Sequence, residues 1–339
     1  MIPDRSLEVL RAIVNDYIES REPVGSKSLV ERHSFGVSAA TIRNDMALLE
    51  EEQLIHAPHT SAGRVPTDKG YRLFVDKLNE VKPLSSAEKA AFESFLEDSA
   101  DLDETLGQTV RLLSQLTNQV AMVQYPSLGK ASVRTVELIP VAETRLLLVL
   151  VTDTGRVQQH VIELNQLVDA EFVSELRGRL VATLIDQPLA SVADRLSGFV
   201  AGFQQAKSVQ AGLVVETLLE QVDANRQEKI LLAGTANLAR REEDFSGSIT
   251  PILEAIEEQV ILLKLLAEMQ DDQNGVAVRI GTENSFESLA NASILVSGYE
   301  NQGSQIAKVG VIGPTRMNYS QNISAVRAVA RYLTKTLGN

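Results

Sequence analysis

Residues 38–47 contain the side chains best suited to reading a nucleic acid. Arg43 and Asn44 are adjacent, and such side chains make paired hydrogen bonds to guanine and adenine edges, respectively. Ala40 precedes them by about one helical turn, and its small side chain lets the backbone approach the bases closely. These three residues predict recognition of base edges in the major groove of DNA.

Several polar and basic side chains nearby are suited to holding the DNA backbone. Ser38, Thr41 and Lys27 can bind phosphates. Arg64 lies on a small, glycine-containing loop, from which it can reach a phosphate or the minor groove. If this N-terminal region binds DNA, its positive side chains must be concentrated on one face of the domain. The candidates for that face are Lys27, Arg43, Arg64, Lys69 and Arg72.

A helix-turn-helix is the element that must position these side chains. Ser26 is a good N-cap for a short helix, which the Phe35-Gly36-Val37 turn breaks because glycine can adopt a positive φ. Ser38 then caps a second helix. The same spacing also fits a surface that binds protein or that only packs. The apolar stripe of the second helix consists of Ile42, Met46 and Leu49.

A β-wing is predicted beside the second helix. Residues 54–57 can pair with residues 64–66 across a tip at 58–63. A helix over residues 4–20 should cover the helix-turn-helix from one side. A further helix, capped by Thr67 or Asp68, closes this N-terminal domain.

The charge balance constrains the DNA-binding hypothesis. The chain has 339 residues and a formal net charge of −13, which by itself argues against a nucleic-acid partner. Residues 1–82 carry 11 Lys and Arg against 13 Asp and Glu, so this region is not basic. A single N-terminal domain of this charge would bind DNA weakly, and a homodimer is therefore predicted.

Other chemistries find little support in the sequence. There is no cysteine, which excludes disulfides and Cys-ligated zinc. His56 and His59 are three positions apart but flank a non-helical Ala-Pro pair, so no metal site is expected. No Ser/His/Asp arrangement singles out a nucleophile, and we expect neither enzymatic activity nor a cofactor. No apolar run approaches the roughly 20 residues of a membrane helix, and no signal peptide is evident, so we expect a cytoplasmic protein without a membrane partner.

Beyond residue 82 the periodicity changes several times. Residues 86–120 are predicted to be helical and fit either a dimer seam or a helix packed on its own domain. Short β-rich runs occupy 119–164, and residues 168–223 are helical again. The last third returns to strands and ends in a helix from about residue 320 to 337. The pattern predicts a β-sheet that is interrupted by a long helical insertion.

Five sequence segments resemble the HrcA family of heat-inducible transcription repressors. EPVGSKSL (22–29), SAATIRNDMALLEEEQLI (38–55) and HTSAGRVPTDKGYRLFVDKL (59–78) resemble its N-terminal DNA-binding domain. VAVRIGTEN (276–284) and KVGVIGPTRMNY (308–319) extend the resemblance far downstream. The similarity therefore covers nearly the whole chain.

The resemblance implies an α+β, multidomain fold. Its parts would be a winged helix-turn-helix and a GAF-like domain that is interrupted by an inserted helical dimerisation domain. The predicted boundaries are 1–82 for the winged helix, 83–104 for a linker helix, 105–164 and 247–339 for the GAF-like domain, and 165–246 for the insertion.

The resemblance also implies a function. A homodimer would repress chaperone operons by binding an inverted-repeat operator, called CIRCE in this family, in double-stranded DNA. Heat would relieve repression because the chaperonin GroEL, which helps the repressor reach its active fold, becomes scarce. Direct thermosensing by loss of the dimer is the competing account. A ligand sensor is the alternative function, since loops at 281–284 and 313–319 could cradle an anion, although neither has Walker or dinucleotide spacing.

Overall fold

The computed structural model describes residues 2–59, 62–78, 101–126, 131–153, 155–164, 166–224, 229–245, 247–270, 275–301 and 303–337. The predicted linker helix over 83–104 lies outside these residues except for its last four positions. The described chain mixes helices with sheets, as predicted, and the strand pairs in these sheets are antiparallel.

The N-terminal region forms three helices, a two-stranded wing and a fourth helix. The predicted helix over 4–20 and the predicted wing pairing are confirmed. The predicted cap at Ser26 is wrong: the N-cap is Gly25, and Ser26 is the first helical residue. The elements are α1 (Asp4–Ser20), α2 (Ser26–Arg32), α3 (Ala39–Glu51), β1 (Ile55–His56), β2 (Val65–Pro66) and α4 (Asp68–Asp76).

In the described residues after the wing, eight further strands form two separate antiparallel sheets. Five of them make one sheet in the order β7-β3-β10-β9-β8, and the other three make a sheet in the order β4-β5-β6. The strands are β3 (Val120–Gln124), β4 (Val133–Ala142), β5 (Arg145–Thr152), β6 (Val157–Glu163), β7 (Ile230–Ala233), β8 (Ala277–Ile280), β9 (Ala292–Asn301) and β10 (Ser304–Pro314).

Helices cover both faces of the five-stranded sheet, and we call this unit the body. Alternate residues of the central strands point to opposite faces, so Ala121 and Val123 join one core while Val120 and Met122 join the other. In the described residues from 101 onwards, which include the body and the three-stranded sheet, the helices are α5 (Leu102–Thr117), α6 (Ala170–Leu184), α7 (Val192–Leu196), α8 (Gln205–Ala224), α9 (Ala236–Arg240), α10 (Thr250–Glu257), α11 (Gln259–Glu268) and α12 (Tyr319–Leu337).

The first of these two cores continues into the N-terminal region. It contains buried residues of α1, α3 and α4 together with residues of α5, α12 and the five-stranded sheet. The predicted single helix over 248–270 is divided at Glu258, where ψ is 74° and the α-helical path is interrupted between α10 and α11.

The three-stranded sheet packs separately from the five-stranded sheet of the body. Its inward residues, such as Leu146, Leu148 and Leu150, share a core with α6, α7 and α8. Conversely, β7 at 230–233 pairs with β3 and is part of the body. The independently packed unit therefore spans about residues 131–222. Strand periodicity alone does not reveal which strands pair with each other, so this arrangement cannot be read from the sequence pattern.

Candidate nucleic-acid interface

The turn into α3 has the geometry that the sequence predicts. Gly36 adopts a φ of +68°, and Ser38 is the N-cap of α3. The Ser38 hydroxyl accepts a hydrogen bond from the Thr41 amide at 3.3 Å, and the two side-chain oxygens lie 3.1 Å apart. Both hydroxyls thus lie at the positive end of the helix dipole, where an anion is stabilised.

The base-reading candidates occupy the outer side of α3. Ala40, Arg43 and Asn44 are exposed. On the opposite side Ile42 and Leu49 are fully buried, so the predicted apolar stripe is confirmed. Burying one side fixes the rotation of α3 and presents the other side to solvent.

A buried carboxylate fixes α3 against α1. Asp45 accepts hydrogen bonds from Arg5 Nε at 2.8 Å and from the buried Ser6 hydroxyl at 2.9 Å. The hydrogen bond from Arg5 lowers the pKa of the Asp45 carboxyl, and that from Ser6 acts in the same direction. This anchor lies one position from Asn44 and was not predicted from the sequence, because Arg5 and Asp45 are 40 positions apart.

Replacing Asp45 with Ala is expected to lower the free energy of unfolding by about 1–3 kcal/mol, because the buried Ser6 hydroxyl loses its acceptor. Asp45→Asn retains one acceptor and should lose less. Because the pKa of Asp45 is lower in the folded state, its contribution is present above the ordinary carboxyl pKa of about 4 and disappears as the pH falls through the folded-state pKa. Urea unfolding at pH 7 and at pH 3 measures both effects, and equal losses at the two pH values would contradict the assignment.

The wing carries Arg64, but its side chain is already bound within the protein. Its Nε and Nη2 atoms each lie 2.9 Å from the Glu50 carboxylate on α3. Its backbone pairs with Val24, which joins the wing to the start of the helix-turn-helix. For Arg64 to contact a phosphate, its guanidinium must exchange Glu50 for the DNA.

The remaining basic candidates lie at different places. Lys27 is exposed in the first turn of α2. Lys69 is exposed on α4 and donates a hydrogen bond to the Glu52 carbonyl at 2.8 Å. Arg72 is half-buried and binds the body, with its Nη2 atom 2.6 Å from the Val278 carbonyl and its Nε atom 2.7 Å from Glu283. The glutamate raises the pKa of the Arg72 guanidinium.

In the two loops considered for an anionic ligand, the Asn284 amide nitrogen and the Arg316 guanidinium are bound within the protein. The Asn284 amide nitrogen donates to three backbone carbonyls within 3.0 Å, including those of Gly281 and Ala292. Arg316 pairs with the buried Asp244 carboxylate. Across the described ranges, no group of three or more His, Asp or Glu side chains could hold a metal ion. In the same ranges, no helix is long and apolar enough to cross a membrane.

Comparison with known proteins identifies the family. The family model described as HrcA protein C terminal domain matches residues 103–323. The heat-inducible transcription repressor HrcA of Clavibacter michiganensis subsp. michiganensis is 59% identical, with 99% of each chain covered. The chain belongs to the HrcA family. The heat-inducible transcription repressor HrcA of Leifsonia xyli subsp. xyli is 58% identical over the full length of both chains.

Membership of the HrcA family makes this chain a transcription repressor that binds DNA, and its role is regulatory rather than enzymatic. A solved structure supports the fold independently: the crystal structure of a hypothetical protein is similar with a TM-score of 0.71. The two chains are 27% identical, and the match covers 100% of this chain and 99% of the other. The similarity therefore extends over the N-terminal region and the body together.

Proposed function

We propose that this HrcA-family chain represses chaperone operons as a homodimer bound to an inverted-repeat operator. The observation that carries the proposal is the outer side of α3, where Ala40, Arg43 and Asn44 are exposed while the other side is buried. In this proposal Arg43 and Asn44 contact base edges in the major groove. Arg72 is left out because its guanidinium binds the body. The proposed backbone contacts are Lys27, Ser38, Thr41, Arg64 and Lys69.

The proposed domain layout follows the two sheets. Residues 1–82 form the reading head, a winged helix-turn-helix that carries the DNA contacts. The body, which we assign as the GAF-like domain, comprises the described residues from 102 to 124 and from 229 to 337. We assign the inserted unit at about 131–222 as the dimerisation domain. In this proposal the dimerisation domain contains the three-stranded sheet as well as the helices.

An apolar sheet face supports dimerisation through the inserted unit. Ile139, Leu147 and Val161 are paired in one row across the three strands, on the side away from the helices. Ile139 is 45% exposed and Val161 is 50% exposed. The neighbouring Val141 and Val157 are also about half exposed, at 51% and 50%. We call this surface the apolar sheet face.

A second copy of the chain is the proposed occupant of the apolar sheet face. Contiguous exposed apolar surface of this kind marks an interaction site. The partner must present a similar apolar surface, and a twofold axis through the sheet provides it without any further component. The reading head is not basic, so a single head would bind DNA weakly. Two heads on one operator gain affinity by avidity, which supports the same conclusion.

The proposed function is tested by a mobility shift at 100 mM salt with three DNA duplexes. They carry an inverted repeat, a single half-site, or a scrambled sequence of the same length. We expect the inverted repeat to bind at least 100-fold more tightly than the half-site, and the scrambled duplex to bind most weakly. Equal binding to all three duplexes would contradict sequence-specific repression by a dimer.

We further propose that chaperonin availability relieves repression. The body closes only when β3 pairs with β7 and β10, which lie more than 100 positions downstream. Chains with many contacts between distant residues fold slowly and expose apolar surface while folding. Such intermediates are suitable clients for the chaperonin GroEL, which heat-damaged proteins would occupy.

Adding unfolded client protein at constant temperature should therefore lower operator binding in a mixture of chaperonin, ATP and freshly diluted unfolded repressor. The client sequesters the chaperonin, so less repressor reaches its folded state. The mobility shift measures the active fraction, and pre-folded repressor provides the control. If operator binding does not change when client or chaperonin is added but is lost on mild heating alone, direct thermosensing is correct instead.

A further inference from the structure

Helix α4 contacts the body through its first residue. One Asp68 carboxylate oxygen accepts hydrogen bonds from the Thr282 amide at 2.9 Å and from the Thr282 hydroxyl at 3.0 Å. Asp68 and Thr282 are 214 positions apart, so this contact joins the reading head to the loop that follows β8. In this contact the head provides the Asp68 carboxylate, and the loop provides the Thr282 amide and hydroxyl as hydrogen-bond donors.

One turn further along α4, Arg72 contacts the same loop. It binds the Glu283 carboxylate and donates to the Val278 carbonyl at 2.6 Å. Glu283 also accepts a hydrogen bond from the Ile280 amide at 2.9 Å, which fixes the carboxylate relative to its own loop. The guanidinium therefore binds two acceptors of the body at once, and this restricts its orientation. We call residues 281–283 the mounting loop.

Two glycines let α4 lie this close to its neighbours. A Cβ atom at Gly281 would lie 2.1 Å from the Asp68 carboxylate, and the φ of Gly281 is +54°. A Cβ atom at Gly70 would lie 2.0 Å from the Leu54 carbonyl at the base of the wing. The first two turns of α4 are thus in direct contact with the wing on one side and with the mounting loop on the other.

Two more contacts join the head to the body, one at the end of α1 and one on α4 beside Arg72. Arg21 at the end of α1 lies with its Nε atom 3.3 Å from the buried Asp244 carboxylate of the body. The Tyr71 and Tyr319 rings are buried with their centroids 5.7 Å apart, and they connect α4 to the start of α12. Together with the mounting loop, these contacts restrain the orientation of the head relative to the body.

We propose that the mounting loop holds each reading head in one orientation and so determines which spacing between half-sites the dimer accepts. This inference rests on the proposed dimer and its inverted repeat. The mounted arrangement leaves Ala40, Arg43 and Asn44 exposed, so it is compatible with DNA binding and does not block it. Arg72, Asp68 and Glu283 act as positioning residues and do not contact DNA.

Spacing discrimination follows from DNA geometry. Each added base pair moves a half-site by about 3.4 Å and rotates it by about 34° around the duplex, since one turn spans about 34–36 Å and 10–10.5 base pairs. Rigidly mounted heads reject such a displacement. Heads that lose the mounting-loop contacts are held less rigidly, so they tolerate a displaced half-site and discriminate less between spacings while the base contacts persist.

The orientation of the head can be measured directly because the chain has no native cysteine. Nitroxide labels at Glu19→Cys on α1 and Arg331→Cys on α12, both exposed positions, report the distance between head and body by pulsed electron resonance. Full-length labelled chains are mixed with excess unlabelled protein so that each dimer carries one labelled subunit. We expect a narrow distance distribution that becomes at least twice as wide in Asp68→Ala and Glu283→Ala.

The same variants are then tested on inverted repeats whose spacer differs by −2 to +2 base pairs. The wild type should prefer one spacer at least tenfold, and both variants should flatten that preference to less than threefold. Glu287→Ala, an exposed acid of the same region, is the matched control and should keep the wild-type profile. Glu283→Gln preserves side-chain size and guards against a loss of folding, which circular dichroism checks.

Several outcomes would overturn the inference. The first is a distance distribution that stays narrow in Asp68→Ala and Glu283→Ala, and the second is a broad distribution with an unchanged spacer preference. Uniform loss of affinity for every spacer in Arg72→Ala, with no effect of Glu283→Ala, would instead make Arg72 a phosphate contact. If the wild type shows no preference for an inverted repeat, the proposed function fails, and the distance measurement still decides whether the loop fixes the head.

Discussion

Val161→Asp is expected to convert the protein from a dimer to a monomer. Val161 is half exposed on β6, an edge strand of the sheet, and belongs to the apolar sheet face, so a partner subunit would bury the introduced carboxylate without a counter-charge. Because a monomer engages only one half-site, operator affinity should fall by about 10²–10⁴-fold. Sedimentation velocity measures the oligomeric state, and the mobility shift on the same sample measures the affinity.

Val260→Asp is the matched control for this experiment. Val260 is a valine that is 61% exposed, but it lies on α11 of the body, away from the apolar sheet face. The same substitution there should leave both the dimer and operator binding unchanged. A Val161→Asp protein that remains dimeric would show that the subunits meet elsewhere, and the proposed occupant of the sheet face would then be wrong.

Arg43→Ala and Asn44→Ala are expected to abolish most of the preference for the operator. Each lost base contact should cost about 1–3 kcal/mol, and a dimer loses two copies, so the expected cost is about 2–6 kcal/mol for each substitution. Binding to the scrambled duplex should change little, because phosphate contacts remain. The measurement is the ratio of operator affinity to scrambled-duplex affinity at a fixed salt concentration.

Arg11→Ala separates base reading from general electrostatics. Arg11 is an exposed arginine on α1 of the same domain, so its removal changes the net charge by the same amount as Arg43→Ala. We expect a small, sequence-independent loss of affinity and an unchanged specificity ratio. If Arg43→Ala lowered binding to both duplexes equally, Arg43 would be a phosphate contact and a different residue would read the bases.

The sequence predicts local structure well where one stretch contains its own signals. The cap at Ser38, the positive φ at Gly36 and the buried stripe of α3 all depend on residues within one or two turns of each other. The pairing partners of the strands are decided by contacts between distant residues. For that reason, the pattern placed strands β4–β6 with the body, although their apolar sides pack on α6 and α8.

In the candidate site, too, features set by neighbouring residues could be predicted, whereas contacts between distant residues could not. The exposure of Arg43 and Asn44 follows from helical periodicity, whereas the partners of the charged residues do not. Arg72 and Arg64 look equivalent in the sequence, yet one binds the body and the other binds Glu50 of its own domain. Asp68 gives no sequence signal beyond helix capping, because its partner Thr282 lies in a loop that the periodicity cannot place.

The closure of the five-stranded sheet also has a consequence for synthesis on the ribosome. Val120 on β3 pairs with Ile312 on β10, a partner that is translated roughly 190 residues later, or about 10–40 s at 5–20 residues per second. During that interval β3 has no β10 beside it, and for most of the interval α4 has no mounting loop to bind. A chain that stops early can therefore carry a complete recognition helix without the frame that orients it. A prematurely terminated product that lacks β10 therefore cannot complete the five-stranded sheet of the body.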